Sequence, residues 1–441
     1  PLYLIGCVNE IGKRQKADNI SGLLREPSLE EYVSSKSKNN IRGYFMQIGI
    51  DDFEEINGRF GLKCGDEILK QFSRCMQSCI NENQKIYELG NGRFMIMDLV
   101  NHSKEDILEL YDELKKSVEV ALEENAYRIV YTISVGIVEI DKEIQDYDTL
   151  IKYSEFALNE AKKKGKNSCY FFTHDKYKQF IRRREIRVEL QNAVDHNFKN
   201  FDVYYQPIID IHTRNLIGAE ALMRFKMKRN EQIEFVSPAE FIPILEESGL
   251  IIPAGRWILR QAVACCKKWQ EFIPKFKMNV NLSYVQIIKS GILDEIKQAL
   301  KDYNLKPALL GIEVTETGYL ENTYHYKKLW SSLKEEGITL ILDDYGTGYS
   351  NAYRLSDLTP NYIKIDRVLT QKALSSNYER SILIYIIEMA HSLKLNVCIE
   401  GVETEEELQE IKKLNPDYIQ GYLFGKPAPE DEFYNRQIKK K

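Results

Sequence analysis

No apolar run in this 441-residue sequence approaches the roughly 20 residues that a membrane-spanning helix needs, so none is expected. Cysteine is sparse: eight are scattered, only Cys265 and Cys266 are adjacent, and none falls at zinc-site spacing. A disulfide framework is therefore not expected; reduced thiols in a cytoplasmic setting are. Neither charge sign dominates. The 61 lysines and arginines against 66 acids leave a net charge of −5, which gives no bias toward a nucleic-acid polymer or an anionic membrane. The sequence opens at Pro1 without an initiator Met or a signal peptide, and the expectation is a cytoplasmic fragment of something longer. What is present is ordinary for folded protein: 43% apolar and 29% charged residues, in a chain long enough for two or three domains.

Along the chain, an apolar strand over 2–8 and a polar connector over 9–16 read as the remnant of an upstream domain. Asp18 to Arg25 then leads into a helix ending near Ser34. Strands are expected over 43–50, 85–89, 93–99 and 127–140, with helices over 53–60, 66–79, 104–122 and 147–164. Gly90-Asn91-Gly92 between two of these strands is a hairpin signal. Residues 17–173 therefore read as one compact α/β domain. A charged helical stretch follows over 174–199, including Ile181-Arg182-Arg183-Arg184-Glu185. Its neighbouring acids favour a solvated linker helix over a nucleic-acid patch.

From residue 200 the pattern changes. Short apolar runs recur, each followed by a helix-like segment, and each run ends in a polar residue: Glu220, Asn281, Glu313, Asp343-Asp344, Lys364, Glu400 and Gln420. Repeated βα units over 200–436 are the pattern of a (β/α)8 TIM-like barrel, whose strand C-termini open on one face. One acid at a strand end is usually just solvated. Seven polar strand ends in register would be gathered at a single rim.

Four carboxylates and an Asn carbonyl are hard oxygen donors that suit Mg2+ or Mn2+ rather than zinc, and none of the six histidines sits at those strand ends. The adjacent acids Asp343 and Asp344 repel unless each faces a cation. An Asp bridging two metals would activate a water and neutralise a phosphodiester. Lys364 adds a positive charge near the water or phosphate, and Glu400 could take the water's proton. On residues alone, the reading is a metal-dependent phosphoester hydrolase.

Glu220-Ala221-Leu222 followed by Arg224 resembles the signature of EAL domains, the phosphodiesterases that linearise the bacterial second messenger cyclic di-GMP to pGpG. The resemblance extends through Gln206-Pro207-Ile208, Asn281-Leu282-Ser283, Glu313-Val314-Thr315-Glu316, the segment from Asp343 to Ser350, Lys364-Ile365-Asp366, Glu400-Gly401-Val402-Glu403-Thr404 and Gln420 to Pro427. It implies Glu220, Asn281, Glu313 and Asp343 as metal ligands, with Asp344 at a second metal shared through Asp343. It implies Lys364 at the hydrolytic water, and Glu400 as general base or second-metal ligand. Arg224 would clamp phosphate, Gln206 and Asp366 would contact substrate, and Gln420 would join the water network. Glu316 would tie down the loop after Asp343-Asp344, and Glu403 would support the site. The expected cofactors are two Mg2+ or Mn2+ ions, with Ca2+ inhibitory because it is larger and looser in geometry. A homodimer through the barrel is implied as well. Tyr345 and Ile399 depart from the family pattern, and Ile399 is a candidate for crowding Glu400. The alternative is a catalytically silent cyclic di-GMP receptor that signals through a protein partner.

Residues 18–173 resemble a GGDEF domain, the nucleotidyl-cyclase-like α/β fold that makes cyclic di-GMP from GTP. Asp18 to Arg25, Asn57, Gly61, Gly65-Asp66, Ser134-Val135-Gly136 and the stretch Ala161-Lys162 to Asn167 carry the likeness. The motif itself reads Gly90-Asn91-Gly92-Arg93-Phe94: its two acids are replaced by Gly92 and Arg93, and Gly49 stands where a metal Asp is usual. The resemblance thus implies an inactive cyclase. Asn57, Asp66, Lys162 and Lys166 would remain as a regulatory GTP site, or the domain is a structural remnant aiding dimerisation. Leu2 to Val8 resembles the closing strand of a PAS sensor domain.

Overall fold

The computed structural model of the chain describes residues 17–36, 42–99, 103–123, 129–141, 146–229, 231–315, 323–346 and 359–439. The strand and connector expected over 1–16, Glu316 and residues 347–350 lie outside the described residues. The chain divides into two compact units, Pro1–Ile181 and Arg182–Lys441. The helix His174–Asp195 crosses that division. Among the described residues no helix is long and apolar enough to cross a membrane.

The first unit is built on six strands: β1 (Leu24–Arg25), β2 (Gly43–Ile50), β3 (Gln84–Gly90), β4 (Arg93–Asp98), β5 (Ile133–Ile140) and β6 (Cys169–Phe171), in the order β1-β3-β4-β2-β5-β6. All eight residues of β2 are buried, because the strand is central and covered on both faces. Its side chains alternate accordingly: Met46 and Ile48 join one core with Ile68 and Phe72, and Phe45 joins another with Met95, Met97 and Leu150. Three boundaries differ from expectation. Leu24–Arg25 is a strand, and the helix after it spans Glu26–Lys36. Gly61, at φ 87°, breaks the chain after the helix Phe53–Phe60, so the next helix starts at Leu62. β5 begins only at Ile133, where antiparallel pairing with Ile50 starts.

The β3–β4 hairpin turns on Asn91 (φ 54°) and Gly92 (φ 71°), the left-handed pair that matches strand twist in a two-residue loop. A Cβ on Gly92 would also stand 2.7 Å from the Phe53 ring. Gly92→Asp is therefore expected to destabilise this unit by about 1–3 kcal/mol, read as a lower melting transition.

In the second unit, β7 (Phe201–Asp210), β8 (Leu216–Arg229), β9 (Gln232–Val236), β10 (Lys277–Asn281), β11 (Leu310–Thr315), β12 (Thr339–Tyr345), β13 (Tyr362–Ile365), β14 (Asn396–Glu400), β15 (Tyr418–Gln420) and β16 (Ala428–Pro429) form one sheet. Eight of them close a barrel in the order β7-β8-β10-β11-β12-β13-β14-β15, with β15 pairing back onto β7. Strands β8 and β10 to β15 are parallel neighbours, but β7 is antiparallel to both β8 and β15. The regular βα repeat fails here for a local reason. A tight turn joins β7 to β8: Asp210 Oδ1 accepts from the His212 and Thr213 amides and from Thr213 Oγ1, and so short a link permits only antiparallel strands.

Helices pack around the strands, and alternation along each strand separates this outer core from the barrel lumen. Ala219, Met278, Val280, Ile312, Leu342, Ile363 and Ile399 all join the outer core. Ile399 therefore does not crowd Glu400. Trp269, fully buried, stacks on Phe433 at 4.7 Å between ring centroids and meets Tyr205 edge-on at 4.9 Å, fastening the helix Ile251–Trp269 and the chain's last helices to β7. Trp269→Ala is expected to cost about 3–5 kcal/mol in chemical denaturation of the barrel.

Candidate active site

Residues two apart on a strand share a face, so Glu220, Asn281, Glu313, Asp343, Lys364, Glu400 and Gln420 all enter the lumen near one rim. Lys364 stands at the centre. Its Nζ lies 2.7 Å from Glu400 Oε1, 2.9 Å from Glu220 Oε2, 3.0 Å from Glu313 Oε2 and 3.4 Å from Asp343 Oδ1. Asn281 Nδ2 donates to Glu220 Oε1 at 2.6 Å, and Gln420 Nε2 donates to Glu220 Oε2 at 2.7 Å. Glu220 and Glu313 lie inside their strands rather than at the ends. β8 runs nine residues beyond Glu220 because its far half pairs with β9 and the start of β7. Asp344 takes a left-handed backbone at φ 56°, and its amide donates to Asp343 Oδ1 at 2.9 Å. Asp tolerates that conformation better than most residues, and the kink lets two consecutive side chains, which would point to opposite faces of a regular strand, bring their oxygens together.

Burial and mutual repulsion set the charges. Burial works against ionised Glu220, but Lys364, Gln420 and Asn281 outweigh it and hold the carboxyl below its usual range. Glu313 is driven well above that range by burial and then by the charge on Glu220. Asp343 is raised by burial too, against the pull of Lys364. Glu400 reaches about 8 and Asp344 about 6, burial being the largest cause in each. Lys364 is held firmly protonated: burial opposes its charge, and Asp343, Glu220, Glu313 and Glu400 overcome it. One ammonium for five carboxyl groups leaves a deficit of positive charge.

The donor set fits divalent cations. Glu220, Glu313 and Asp343 place oxygens within 4.8 Å of one another, as do Asp343, Asp344 and Glu400, so Asp343 belongs to both groups. All these ligands are hard oxygens. Among the described residues Gln420 Oε1 has no protein partner in its buried position, an acceptor left over for a water. Two cavities flank the carboxylates and share Leu222. One, of about 260 Å3, is lined by Gln206, Glu403, Gln420 and Tyr422 among others; the other, of about 440 Å3, holds Arg224, Glu246 and Asn281.

The remaining expected residues are placed less uniformly. Gln206 Oε1 accepts from Gln420 at 3.1 Å. Arg224 is half-buried, its charge disfavoured by burial, and donates to the Met223 carbonyl at 2.9 Å. Glu403 pairs at 2.8 Å with Arg367, a cavity-lining residue the sequence reading missed although it directly follows Asp366. Asp366 caps the helix Arg367–Ser375 through Val368 N at 2.7 Å and does not line the two cavities.

Against this geometry, the EAL domain family model matches residues 187–427, more than half of the chain. The chain belongs to the EAL family. A diguanylate cyclase GGDEF domain model matches residues 16–168, so a GGDEF domain precedes the EAL domain. The signaling protein YkoW of Bacillus subtilis (strain 168) is 30% identical over 391 residues, covering 88% of this chain and 48% of YkoW. The cyclic di-GMP phosphodiesterase PdeR of Escherichia coli (strain K12) is 27% identical over 435 residues, covering 96% of this chain and 64% of PdeR. This chain thus spans about half to two thirds of the length of those relatives. A solved structure described as PaMucR phosphodiesterase in complex with c-di-GMP aligns at TM-score 0.53 and 28% identity, over 56% of this chain and 99% of that one.

In the GGDEF domain, a Cβ on Gly49 would meet Lys162 Nζ at 3.1 Å, so the lysine stands over that strand end. Lys162, Arg93 and Asn91 line a cavity of about 710 Å3 with Asp52, Glu54 and Glu155. Arg93 is 3.1 Å from Glu155, and Lys166 is 2.7 Å from Asp52. Asn57 Oδ1 is buried and, among the described residues, has no partner; it lies beside Gly65, where a Cβ would come within 1.9 Å of it. Asp66 is half-buried at the start of the helix Leu62–Cys79.

Proposed function

We propose that the EAL barrel is a phosphodiesterase that hydrolyses one phosphodiester bond of cyclic di-GMP to give linear pGpG. The observation that carries this reading is Asp343, shared by two carboxylate groups around Lys364 with a cavity on either side. Relatives named as cyclic di-GMP phosphodiesterases support the substrate. Glu220, Asn281, Glu313 and Asp343 would hold one Mg2+ or Mn2+, and Asp344, sharing Asp343, a second. Such ions, when bound, supply Lewis acidity and a water of lowered pKa. Lys364 Nζ carries positive charge to the developing phosphorane oxygens, and Gln420 Oε1 accepts a hydrogen bond from the attacking water and so orients it. Glu400, at 2.7 Å from Lys364, either receives the water's proton or ligates. Arg224, lining one cavity, clamps a phosphate, and Gln206, lining the other, contacts substrate.

Incubation of the chain with Mn2+ and cyclic di-GMP, followed by chromatography, tests the reading. Linear product that disappears in Glu220→Ala supports it. Tight binding with intact substrate would instead favour the silent receptor. Ca2+ is expected to bind without turnover. Self-association through the barrel is a further part of this proposal, checked by light scattering. For the GGDEF domain the proposal is an inactive cyclase that binds GTP as a regulator, supported by Lys162 over Gly49 and the orphan Asn57 Oδ1. GTP is then expected to lower the substrate concentration for half-maximal hydrolysis; absence of calorimetric binding at millimolar GTP ends that idea.

A further inference from the structure

Below the rim, the lumen is filled by the residues two positions before each site residue. This second layer is largely apolar: Ile341, Tyr362 and Cys398 cluster there with Ile208. Asn279 interrupts it. The residue is 2% exposed, and a buried amide in such surroundings is costly unless its hydrogen bonds are made. Its Nδ2 donates to Glu313 Oε1 at 2.8 Å and also to the Tyr362 hydroxyl oxygen. The other oxygen of Glu313 accepts from Lys364 at 3.0 Å.

The amide has one workable orientation. Metal binding needs Glu313 ionised, and an amide oxygen against that carboxylate would be repelled, so the NH2 must face Glu313. The amide oxygen then lies beside Gly311, paired with Asn279 across the β10–β11 ladder, where any Cβ would be 2.4 Å from it. The glycine makes room for the amide, and Tyr362 takes its remaining hydrogen.

We propose that Asn279, seated by Gly311 and Tyr362, is a positioning residue that fixes the Glu313 carboxylate for metal binding. With one lone pair of Oε1 held by Asn279 and one of Oε2 by Lys364, the carboxylate cannot rotate, and its remaining lone pairs stay aimed at the rim. An apolar side chain at 279 would suit the layer better, which makes the carboxylate above it the reason for the amide. This inference rests on the phosphodiesterase reading for its catalytic consequence but not for its metal consequence.

Asn279→Leu keeps volume and matches the apolar layer; Tyr362→Phe removes only the hydroxyl. Mn2+ binding is measured by calorimetry without substrate, alongside kcat and KM for cyclic di-GMP and the melting of the metal-free protein. Asn279→Leu is expected to weaken Mn2+ binding about 10–100-fold and to lower kcat similarly, with KM within about twofold and metal-free melting unchanged or higher. Tyr362→Phe should move the same quantities in the same direction by a smaller factor, and decides the matter if Asn279→Leu does not fold. Unchanged Mn2+ affinity in a folded variant overturns the inference, as does a fall in melting temperature alone. A wild-type chain that binds Mn2+ in an Asn279-dependent way yet hydrolyses nothing sinks the phosphodiesterase reading and leaves this one standing. No Mn2+ binding by the wild-type chain sinks both.

Discussion

Asp343→Asn is expected to cut cyclic di-GMP hydrolysis by about three orders of magnitude, the scale on which loss of one stabilising group in a preorganised site acts. The reason is its double membership. Glu313 serves one group of carboxylates and Glu400 the other, but Asp343 has oxygens within reach of both. The substitution should therefore lower metal occupancy at both positions, and titration of the variant with Mn2+ should show two weakened sites instead of one. The metal-free barrel should melt no lower than wild type. The change removes one acid from a crowd of five around one ammonium, and at 3.4 Å the Asp343–Lys364 ion pair is the longest that this ammonium makes with the four acids nearest it. A variant that hydrolyses within about tenfold of wild type would mean that chemistry takes place elsewhere on the rim.

Lys364→Met is expected to destabilise the metal-free barrel by about 3–5 kcal/mol, because it leaves buried carboxylates without their counter-ion. pH and metal should modulate that loss in opposite senses. The carboxyls of Glu313, Asp343, Asp344 and Glu400 lie above their usual values in the folded chain. An acid raised in this way stabilises the fold most below its unfolded value, and the contribution is lost as pH rises through the folded one. Without metal, stability should fall as pH climbs from the usual carboxylate range through about 6 for Asp344 to about 8 for Glu400. Glu220 is lowered, so its contribution is lost only on the acid side of its unfolded value, beneath that window. Divalent ions reverse the trend: ligation needs the ionised forms, so Mn2+ affinity should rise toward pH 8 with protons released on binding. Melting curves in chelator and in excess Mn2+, across that pH range, check both signs. A metal-free barrel that grows more stable on the alkaline side would contradict these charge states.

Much of the site was legible because its signals are local. A polar residue ending an apolar run announces a strand end, and the order Glu220, Asn281, Glu313, Asp343, Lys364, Glu400, Gln420 carried the donor chemistry and the family without any coordinates. Asn279 and Tyr362 escaped notice because each lies inside a strand-like run, where a polar residue reads as part of the wall. The signal was the two-residue offset from Asn281 and Lys364, which places them on the same face one layer down. Arg367 was missed since nothing local ties it to Glu403, 36 positions on in the segment after β14.

From sequence alone came the two-domain plan, the barrel, the loss of the GGDEF acids and the oxygen-rich character of the site, all properties of composition, period and short motifs. Tertiary structure decided which atoms meet. Gln420 and Glu220 are 200 positions apart, and only closure of the sheet onto β7 brings them to 2.7 Å. It also decided that β7 runs antiparallel, that Lys364 occupies the middle of the acids, and that an amide braces Glu313 from below. Such distances depend on barrel closure and strand register. Those are set jointly by every strand, so no single stretch of sequence contains them.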